Sequence, residues 1–309
     1  MALVVIDPGR DTHRWEEVLK PLDPELDIRH EPDTGDPAEI LYALTWNHPP
    51  GALTGYPNLR FICSMGAGID HFLKDDRMPE GVPCVRLVDR LLTSAMTEYV
   101  LTHVLRYHRQ VEEFRAAQAA REWAHLPTPD TELTQVGIMG LGMLGGDAAR
   151  QLADFGFRVA GWSRTPKHIE GVACYHGRDQ LGEFLKETRY LVCLLPLTPE
   201  TEDIIDREVL KALPQGACVI NSARGRHLVD EDLIEALDSG HIAGATLDVF
   251  RTEPLPADHP FWTHPRVFVT PHAASHTVAR SVAPQIIENI RRVRAGEPLI
   301  NQVDLKRGY

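Results

Sequence analysis

The sequence predicts an α/β fold with two domains, one of which binds a dinucleotide. Its 309 residues are enough for about two domains of ordinary size. Short apolar runs alternate with amphipathic stretches along the chain, a pattern that indicates strands alternating with helices. A glycine-rich loop follows one apolar run and opens an amphipathic helix, which is the setting in which such a loop holds a pyrophosphate.

Composition and charge exclude several classes of protein. The 44 acidic residues outnumber the 32 basic ones, and the net charge of −12 argues against a nucleic acid as partner. No apolar run reaches the ~18 residues of a membrane-spanning helix. The apolar N-terminal run follows no basic residues, so it predicts a strand rather than a signal peptide. Five scattered cysteines without a CxxC pair favour a reducing, cytoplasmic location and no disulfide or zinc framework.

In the first part of the chain, turn-forming residues separate four apolar runs that predict strands. These runs are Leu3–Ile6, Ala43–Thr45, Phe61–Ser64 and Cys84–Leu87. The stretch that follows, Thr93–Arg121, has no Pro or Gly and carries apolar residues at helical spacing. It predicts a single helix of ~40 Å, which is long enough to pass from one domain to another.

A second series of strands and helices begins at Val136. Its six predicted strands are Val136–Met139, Val159–Trp162, Tyr190–Leu194, Cys218–Asn221, Ala245–Val249 and Val267–Thr270. The predicted helices include Leu144–Phe155, Asp230–Asp238 and, after the sixth strand, Val278–Ala295. Six strands with intervening helices correspond to one complete Rossmann dinucleotide-binding domain.

The loop after the first strand of this series has the spacing GxGxxG. Its glycines are Gly140, Gly142 and Gly145. One glycine permits a tight turn, one lets the backbone approach a pyrophosphate, and one lets the helix pack closely on the strand. The helix begins at Met143 and Leu144, whose backbone N–H groups are free to bind an anion. A dinucleotide site is the favoured interpretation, and an ordinary turn between strand and helix is the alternative.

The next strand ends in a polar, basic turn. Ser163, Arg164, Thr165 and Lys167 follow Trp162, at the place where an NAD enzyme carries the carboxylate that binds the ribose 2′-hydroxyl. No carboxylate is present in this turn. Hydroxyl groups and positive charge suit a 2′-phosphate, so the sequence predicts NADP(H), with NAD(H) as the weaker alternative. A solvated surface turn would show the same residues.

Three residues suited to chemistry follow three successive strands. Arg224, Glu253 and His272 each come just after a predicted strand of the second series. Because the carboxyl ends of parallel strands face the ligand crevice, we expect these side chains to lie near one another. An arginine can hold a carboxylate or carbonyl with its planar fork, and a histidine paired with a carboxylate can transfer a proton.

Segments spread over the whole chain carry a resemblance to a known family. They are Met65–Asp70, Thr97–Tyr99, the glycine loop, Trp162–Thr165, Leu194–Thr201, the segments around Arg224, Glu253 and His272, and the ending Gln302–Asp304 with Arg307–Tyr309. On these segments the chain resembles the D-isomer-specific 2-hydroxyacid dehydrogenase family, and within it a bacterial subgroup of glyoxylate and hydroxypyruvate reductases. One departure is Trp46-Asn47-His48-Pro49-Pro50, which is one residue longer than the expected Trp-His-Pro-Pro.

The resemblance implies a domain arrangement and an assembly. A Rossmann domain of residues 99–283 would be inserted into a flavodoxin-like substrate domain of residues 1–98 and 284–309, with the cleft between them. It also implies a homodimer in which the long central helix lies near the interface.

The resemblance further implies the roles of substrate-binding residues. The substrate would be a 2-oxo acid, or in the reverse direction a 2-hydroxy acid. Backbone N–H groups of Ala67 and Gly68 would hold its carboxylate, and Trp46 would lie beside it. Arg224 would polarise the C2 carbonyl and contact the carboxylate.

The same resemblance assigns the reaction and the remaining cofactor contacts. His272 would give a proton to the substrate oxygen while the nicotinamide gives a hydride to C2, and Glu253 would favour the charged imidazole. Asp248 would bind the nicotinamide amide. Further residues expected to line the cofactor are Leu195, Pro196 and Ala223.

Three functions stay open on the sequence. The favoured one is NADPH-dependent reduction of glyoxylate to glycolate and of hydroxypyruvate to D-glycerate. Another member of the same family, such as a phosphoglycerate dehydrogenase, is the second. The third is a non-catalytic dinucleotide sensor resembling the C-terminal-binding-protein corepressors, which share the Arg/Glu/His set. Arg164 and the chain ending favour the reductase.

Overall fold

A computed structural model describes residues 2–306, and these form two compact units. One unit contains the described residues up to Leu92 and from His276 onward, and the other is Thr93–Ser275. The chain enters the second unit after Leu92 and leaves it after Ser275, in both cases earlier than the predicted boundaries after residues 98 and 283. At the first change the reason is packing, because Met96 and the residues that follow it on the same helix join the core of the second unit.

The first unit is built on a five-stranded parallel sheet with the order β2-β1-β3-β4-β5. The strands are β1 (Ala2–Ile6), β2 (Asp27–His30), β3 (Ile40–Thr45), β4 (Phe61–Ser64) and β5 (Cys84–Val85). This order is that of flavodoxin-like folds, as predicted. The helices of this unit are α1 (His13–Leu19), α2 (Asp70–Leu73) and the C-terminal helix Ala279–Ala295.

The two edge strands of this sheet depart from the prediction. Strand β2 was not among the predicted strands, and all four of its residues are only half-buried. A polar edge strand has one neighbour and little apolar signal, so its pattern resembles a loop. At the other edge β5 ends at Val85, two residues before the predicted end at Leu87.

The second unit is built on a seven-stranded parallel sheet with the order β12-β11-β10-β9-β6-β7-β8. The strands are β6 (Gln135–Met139), β7 (Arg158–Ser163), β8 (Val172–His176), β9 (Thr188–Cys193), β10 (Ala217–Asn221), β11 (Ile242–Leu247) and β12 (Val267–Val269). The Rossmann prediction is confirmed, but the count of six strands is wrong. The missed strand β8 lies at the sheet edge beside β7, and no residue in it is fully buried.

The predicted single helix over Thr93–Arg121 is also wrong. The structure has two helices, α3 (Arg90–His108) and α4 (Val111–Ala120). Gln110 separates them in the left-handed conformation, with φ of 54°. Arg106 of α3 donates a 2.8 Å hydrogen bond to Glu112 of α4 across the break. Neither Gly nor Pro marks this turn, which is why the composition gave no sign of it.

The remaining helices cover the faces of the seven-stranded sheet. They are α5 (Met143–Asp154), α6 (Leu181–Leu185), α7 (Arg207–Ala212) and α8 (Asp230–Asp238). Strands β6, β9 and β10 are buried along nearly their whole length. The loops that follow these strands are therefore attached to the buried centre of the sheet. No helix within residues 2–306 is long and apolar enough to span a membrane.

Candidate active site

The glycine loop between β6 and α5 forms a cradle that suits a pyrophosphate. Gly140 has a φ of 103°, and a Cβ there would lie 2.6 Å from the carbonyl oxygen of Leu194. A Cβ on Gly145 would lie 1.8 Å from the carbonyl oxygen of Gly140. A Cβ on Gly142, the N-cap of α5, would meet no atom within 4 Å. Gly140 and Gly145 thus serve the protein's own packing, whereas Gly142 leaves room for a ligand at the helix N-terminus.

The turn after β7 presents positive charge to solvent. Ser163 is buried and its hydroxyl donates a 2.9 Å hydrogen bond to the carbonyl oxygen of Thr165, so this side chain shapes the turn. Arg164, Thr165 and Lys167 are exposed. Hydrogen bonds from Thr198 and from its own backbone, together with the charge of Arg164, hold the pKa of Glu200 below its ordinary value. The positive charge of Arg164 therefore acts on Glu200, which lies in the loop after β9.

The loop after β10 holds the backbone of Arg224 in place. Asn221, fully buried at the strand end, donates from Nδ2 to the Arg224 carbonyl oxygen at 3.0 Å and accepts from the Ala223 N–H at 3.2 Å. The guanidinium of Arg224 donates to the Ala223 carbonyl oxygen at 2.6 Å. Both ends of the residue are thereby fixed at the carboxyl edge of the sheet.

His227 is a site residue that the sequence reasoning missed. Its ring is buried; Nδ1 lies 3.2 Å from the backbone nitrogen of Arg224, and Nε2 lies 3.2 Å from the carbonyl oxygen of Pro196. The imidazole thus ties the loop after β9, which carries Leu195 and Pro196, to the loop after β10. The only sequence signal was its position three residues after Arg224. The sequence pattern of a short turn does not distinguish a buried histidine from a solvated one.

The side chains of Glu253 and His272 form a hydrogen-bonded pair. Glu253 Oε2 lies 2.8 Å from His272 Nδ1, and Oε1 accepts a 3.0 Å hydrogen bond from the Phe250 N–H. Partial burial favours the neutral acid, but the hydrogen bonds from His272 and Phe250 and the charges of His272 and Arg224 outweigh it. The pKa of Glu253 is therefore lowered. The carboxylate occupies Nδ1 of the imidazole, so Nε2 is the ring nitrogen that Glu253 leaves unoccupied.

The backbone of His272 is held in an uncommon conformation. Its φ is 53°, and its N–H donates to the carbonyl oxygen of Asp248 at 2.8 Å. The buried Asp248 carboxylate accepts hydrogen bonds from Thr270 Oγ1 (2.5 Å), Ala273 N–H (2.7 Å) and Ala274 N–H (3.0 Å). Asp248 thus anchors the turn that presents the histidine, a role the sequence did not suggest. Its predicted contact with the nicotinamide stays a prediction.

A hydrogen bond with helix α3 helps to hold this turn in place. The Tyr99 hydroxyl lies 2.7 Å from Thr270 Oγ1, which extends the hydrogen-bond chain from Asp248 to the helix. Burial raises the pKa of Tyr99, so the phenol stays protonated. Tyr99 belongs to the core cluster of this unit rather than to its surface.

In the first unit, the loop after β4 presents backbone donors. Ser64 Oγ donates to the Gly68 carbonyl oxygen at 2.7 Å, and Gly66 donates to Ser64 Oγ at 3.3 Å. Within residues 2–306, the N–H groups of Ala67 and Gly68 donate to no protein acceptor. Both residues are partly exposed. Two unused N–H groups side by side are suited to a carboxylate.

Trp46 stands beside this loop. A Cβ on Gly66 would lie 3.2 Å from the Trp46 ring, so the glycine permits the two segments to approach. Asn47, the additional residue of the Trp46–Pro50 segment, adopts φ of 46°. The left-handed turn absorbs the insertion, and the next residue, His48, is buried with Nδ1 2.9 Å from Thr45 Oγ1.

The fold and this set of residues define a nicotinamide-dependent dehydrogenase. Residues 101–274 match the model of the NAD-binding domain of D-isomer-specific 2-hydroxyacid dehydrogenases. The chain is 41% identical to a glyoxylate/hydroxypyruvate reductase A of Photorhabdus laumondii and 40% identical to one of Yersinia enterocolitica; each match covers 100% of both chains. The chain belongs to the D-isomer-specific 2-hydroxyacid dehydrogenase family, as its sequence segments predicted.

Solved structures of similar proteins agree with this assignment. A D-isomer-specific 2-hydroxyacid dehydrogenase from Xanthobacter autotrophicus in complex with NADPH is 46% identical with a TM-score of 0.95, over 100% of this chain and 99% of that one. An NADPH-dependent glyoxylate/hydroxypyruvate reductase from Sinorhizobium meliloti, in complex with NADP and sulfate, is 38% identical with a TM-score of 0.93 over 100% of both chains. The final segment that contributed to the resemblance, Arg307–Tyr309, lies outside the described residues.

Proposed function

We propose that this protein is an NADPH-dependent reductase of small 2-oxo acids that converts glyoxylate to glycolate and hydroxypyruvate to D-glycerate. The observation that carries the proposal is the Glu253–His272 pair beside Arg224, in the unit that also holds the glycine cradle. The names and bound cofactors of the similar proteins support the choice of substrate and of NADPH.

The chain's own residues account for the proton and for the orientation of the substrate. When bound, the reduced nicotinamide supplies a hydride to C2 of the 2-oxo acid. Arg224 polarises the C2 carbonyl, and His272 delivers a proton from Nε2 to the oxygen as negative charge develops there. The N–H groups of Ala67 and Gly68 hold the substrate carboxylate. The products are the 2-hydroxy acid and the oxidised cofactor.

The decisive experiment is NADPH oxidation by the purified protein across a panel of 2-oxo acids, from glyoxylate and hydroxypyruvate to phenylpyruvate. Rapid turnover of the two smallest acids with D-glycerate as product of hydroxypyruvate is the expected result. Turnover mainly of the larger acids would point to another member of the family. Negligible oxidation with every acid, with NADPH still bound, would favour a corepressor-like dinucleotide sensor instead.

Cofactor choice is expected to depend on Arg164. We expect Arg164→Ala to lower kcat/KM for NADPH about tenfold to a hundredfold, because a charge-assisted hydrogen bond to the 2′-phosphate contributes about 1.5–3 kcal/mol. The value for NADH should hardly change, since NADH lacks this phosphate. Steady-state kinetics with both cofactors measures the effect.

Two further variants test the same assignment. Lys167→Ala removes a neighbouring exposed charge and should have the smaller effect on NADPH. Adding Ser163→Asp to Arg164→Ala should favour NADH further, because a carboxylate repels the phosphate and can accept from the ribose hydroxyls. Equal losses with NADPH and NADH in Arg164→Ala would remove the main support for the NADP(H) assignment.

The pH dependence of reduction is expected to reflect the Glu253–His272 pair. Activity should fall as pH rises, because the imidazole loses the proton that it donates. The pKa of Glu253 is lowered, so a negative charge lies 2.8 Å from Nδ1 of His272, and Glu253→Gln removes this charge. Glu253→Gln should therefore move the alkaline limb of kcat/KM to lower pH. A limb at the same pH in wild type and variant would show that Glu253 is not coupled to the titrating group.

We also propose a homodimer formed through the segment that follows α3. Helix α4 has no buried residue, Phe114 is 44% exposed, and Trp123 beyond it is 91% exposed. Such apolar exposure marks an interaction surface. Phe114→Glu combined with Trp123→Glu is expected to shift the sedimentation coefficient from dimer to monomer. The control Trp262→Glu changes a half-exposed tryptophan elsewhere in the same unit and should stay dimeric.

For the location we propose the cytoplasm. All five cysteines are free thiols in the structure, and four of them are buried. Burial raises the pKa of the Cys193 thiol to about 12, so it stays protonated and unreactive. Free cysteines without disulfide bonds are typical of proteins in a reducing compartment. Fractionation of cells producing the native protein tests the proposal.

A further inference from the structure

A cluster of metal-ligating side chains lies in the first unit and takes no part in the proposed reaction. His13 and Glu16 occupy successive turns of one face of α1, and His30 is the last residue of β2. Glu16 Oε2 lies 3.9 Å from His13 Nδ1 and 3.5 Å from His30 Nε2, and all three ligand atoms lie within 4.8 Å of one another.

The surroundings of His30 are those of a metal ligand. Its Nδ1 lies 2.8 Å from the hydroxyl of Thr12, whereas its buried Nε2 has no hydrogen-bond partner among the described residues. If Nδ1 carries the proton and donates to Thr12, the lone pair of Nε2 faces the carboxylate of Glu16. Two acceptors in this arrangement repel each other unless a cation lies between them. A second partner on the other ring nitrogen is what orients a ligating histidine in metal sites.

We propose that His13, Glu16 and His30 bind one divalent transition-metal ion, with Zn²⁺ the best match. Two imidazole nitrogens and one carboxylate oxygen form a common donor set for Zn²⁺. Bonds of about 2.0–2.1 Å place tetrahedral ligand atoms about 3.3 Å apart, close to the 3.5 and 3.9 Å that separate Glu16 Oε2 from the two imidazole nitrogens. The third separation, within 4.8 Å, must contract by about 1.5 Å at most. His13 is 72% exposed at its side chain, which leaves an open side for entry and for water as the fourth ligand.

The proposed ion would join the start of α1 to the end of β2. Strand β2 is an edge strand with no fully buried residue, so the covalent chain and β1 hold it on one side only. Because the folded chain binds the ion and the unfolded chain lacks the preformed site, the bound metal should raise the thermal stability.

The test uses the tag-free full chain after chelator treatment. Zn²⁺ is titrated against a chromophoric competitor, and Co²⁺ is added separately to record its visible absorption. We expect one ion per chain, the intense absorption of tetrahedral Co²⁺, and a Zn²⁺-dependent rise in Tm. Thr12→Val should weaken Zn²⁺ binding about tenfold or more, as is usual for the partner of a ligating histidine. Glu16→Gln and His30→Gln should weaken it further.

The matched control is Glu17→Gln, which removes the same charge from the adjacent, exposed position of α1. It should bind Zn²⁺ like the wild type. The proposal is wrong if the wild type takes up no Zn²⁺ at equimolar concentration, because the three side chains then hold no ion. It is equally wrong if His30→Gln and Glu16→Gln bind as tightly as the control. Reductase activity is not part of the readout, so this result and that of the proposed function are independent.

Discussion

Replacing His272 with alanine is expected to lower kcat/KM for NADPH-dependent reduction by about 10²–10⁴-fold, the usual contribution of a general acid. Nε2 of this imidazole is the proposed proton-donating atom, because Nδ1 is occupied by Glu253. Without the imidazole, the alkoxide that develops on the substrate oxygen must take its proton from water. NADPH binding should persist, because the glycine cradle and the turn after β7 contain no part of His272.

Two measurements separate a catalytic loss from a folding defect. Fluorescence titration with NADPH should give the same Kd for His272→Ala and the wild type. His168→Ala removes an exposed histidine of the same unit and should keep full activity. A loss of less than tenfold at neutral pH, with the cofactor bound, would exclude His272 as the proton donor.

How much of the fold the sequence could predict depends on burial. Central strands such as β6, β9 and β10 are buried on both faces and are therefore continuous apolar runs, and all three were predicted. The edge strands β2 and β8 have a neighbour on one side only and a mixed composition, and both were missed. Edge position alone does not hide a strand, because β12 is an edge strand without a fully buried residue and its apolar run was predicted. The signal is lost where an edge strand also has a mixed composition.

Local conformation at non-glycine residues was the second limit. Gln110 ends α3 and Asn47 absorbs an insertion, each with a positive φ. Neither residue type demands this conformation, so the sequence pattern does not reveal it. His272 adopts it too, and there the network around Asp248 holds it.

For the candidate site, the sequence indicated the groups that are proposed to do chemistry but not those that position them. The structure places Arg224, Glu253 and His272 on loops at one edge of the sheet and pairs the last two at 2.8 Å. The buried imidazole of His227 and the hydroxyl of Thr270 act through hydrogen bonds to distant residues. Such bonds follow no periodicity along the chain, so only the folded structure displays them.

Arg224→Lys is the substitution that tests orientation separately from charge. Lysine keeps the positive charge, but its ammonium is a single point without the planar fork that can contact a carbonyl and a carboxylate together. The guanidinium also donates to the Ala223 carbonyl oxygen, and a lysine amine engaged there could not reach the substrate in the same geometry. Removing one donor that stabilises developing negative charge costs about 10²–10³-fold in kcat. We therefore expect a loss of about that size in the 2-oxo acid reduction.

The matched control is Arg226→Lys, two positions along the same loop. Arg226 is exposed and pairs with Glu202, so its replacement should leave the kinetics unchanged. Near-wild-type kcat/KM in Arg224→Lys as well would mean that Arg224 is a remote or structural group. A fall in kcat with KM for the 2-oxo acid little changed would instead place the contribution of the guanidinium in the transition state, because binding of the ground-state carboxylate would be preserved by the ammonium. Since the backbone of Arg224 is held by Asn221 and not by its own side chain alone, the loop should keep its conformation in the variant.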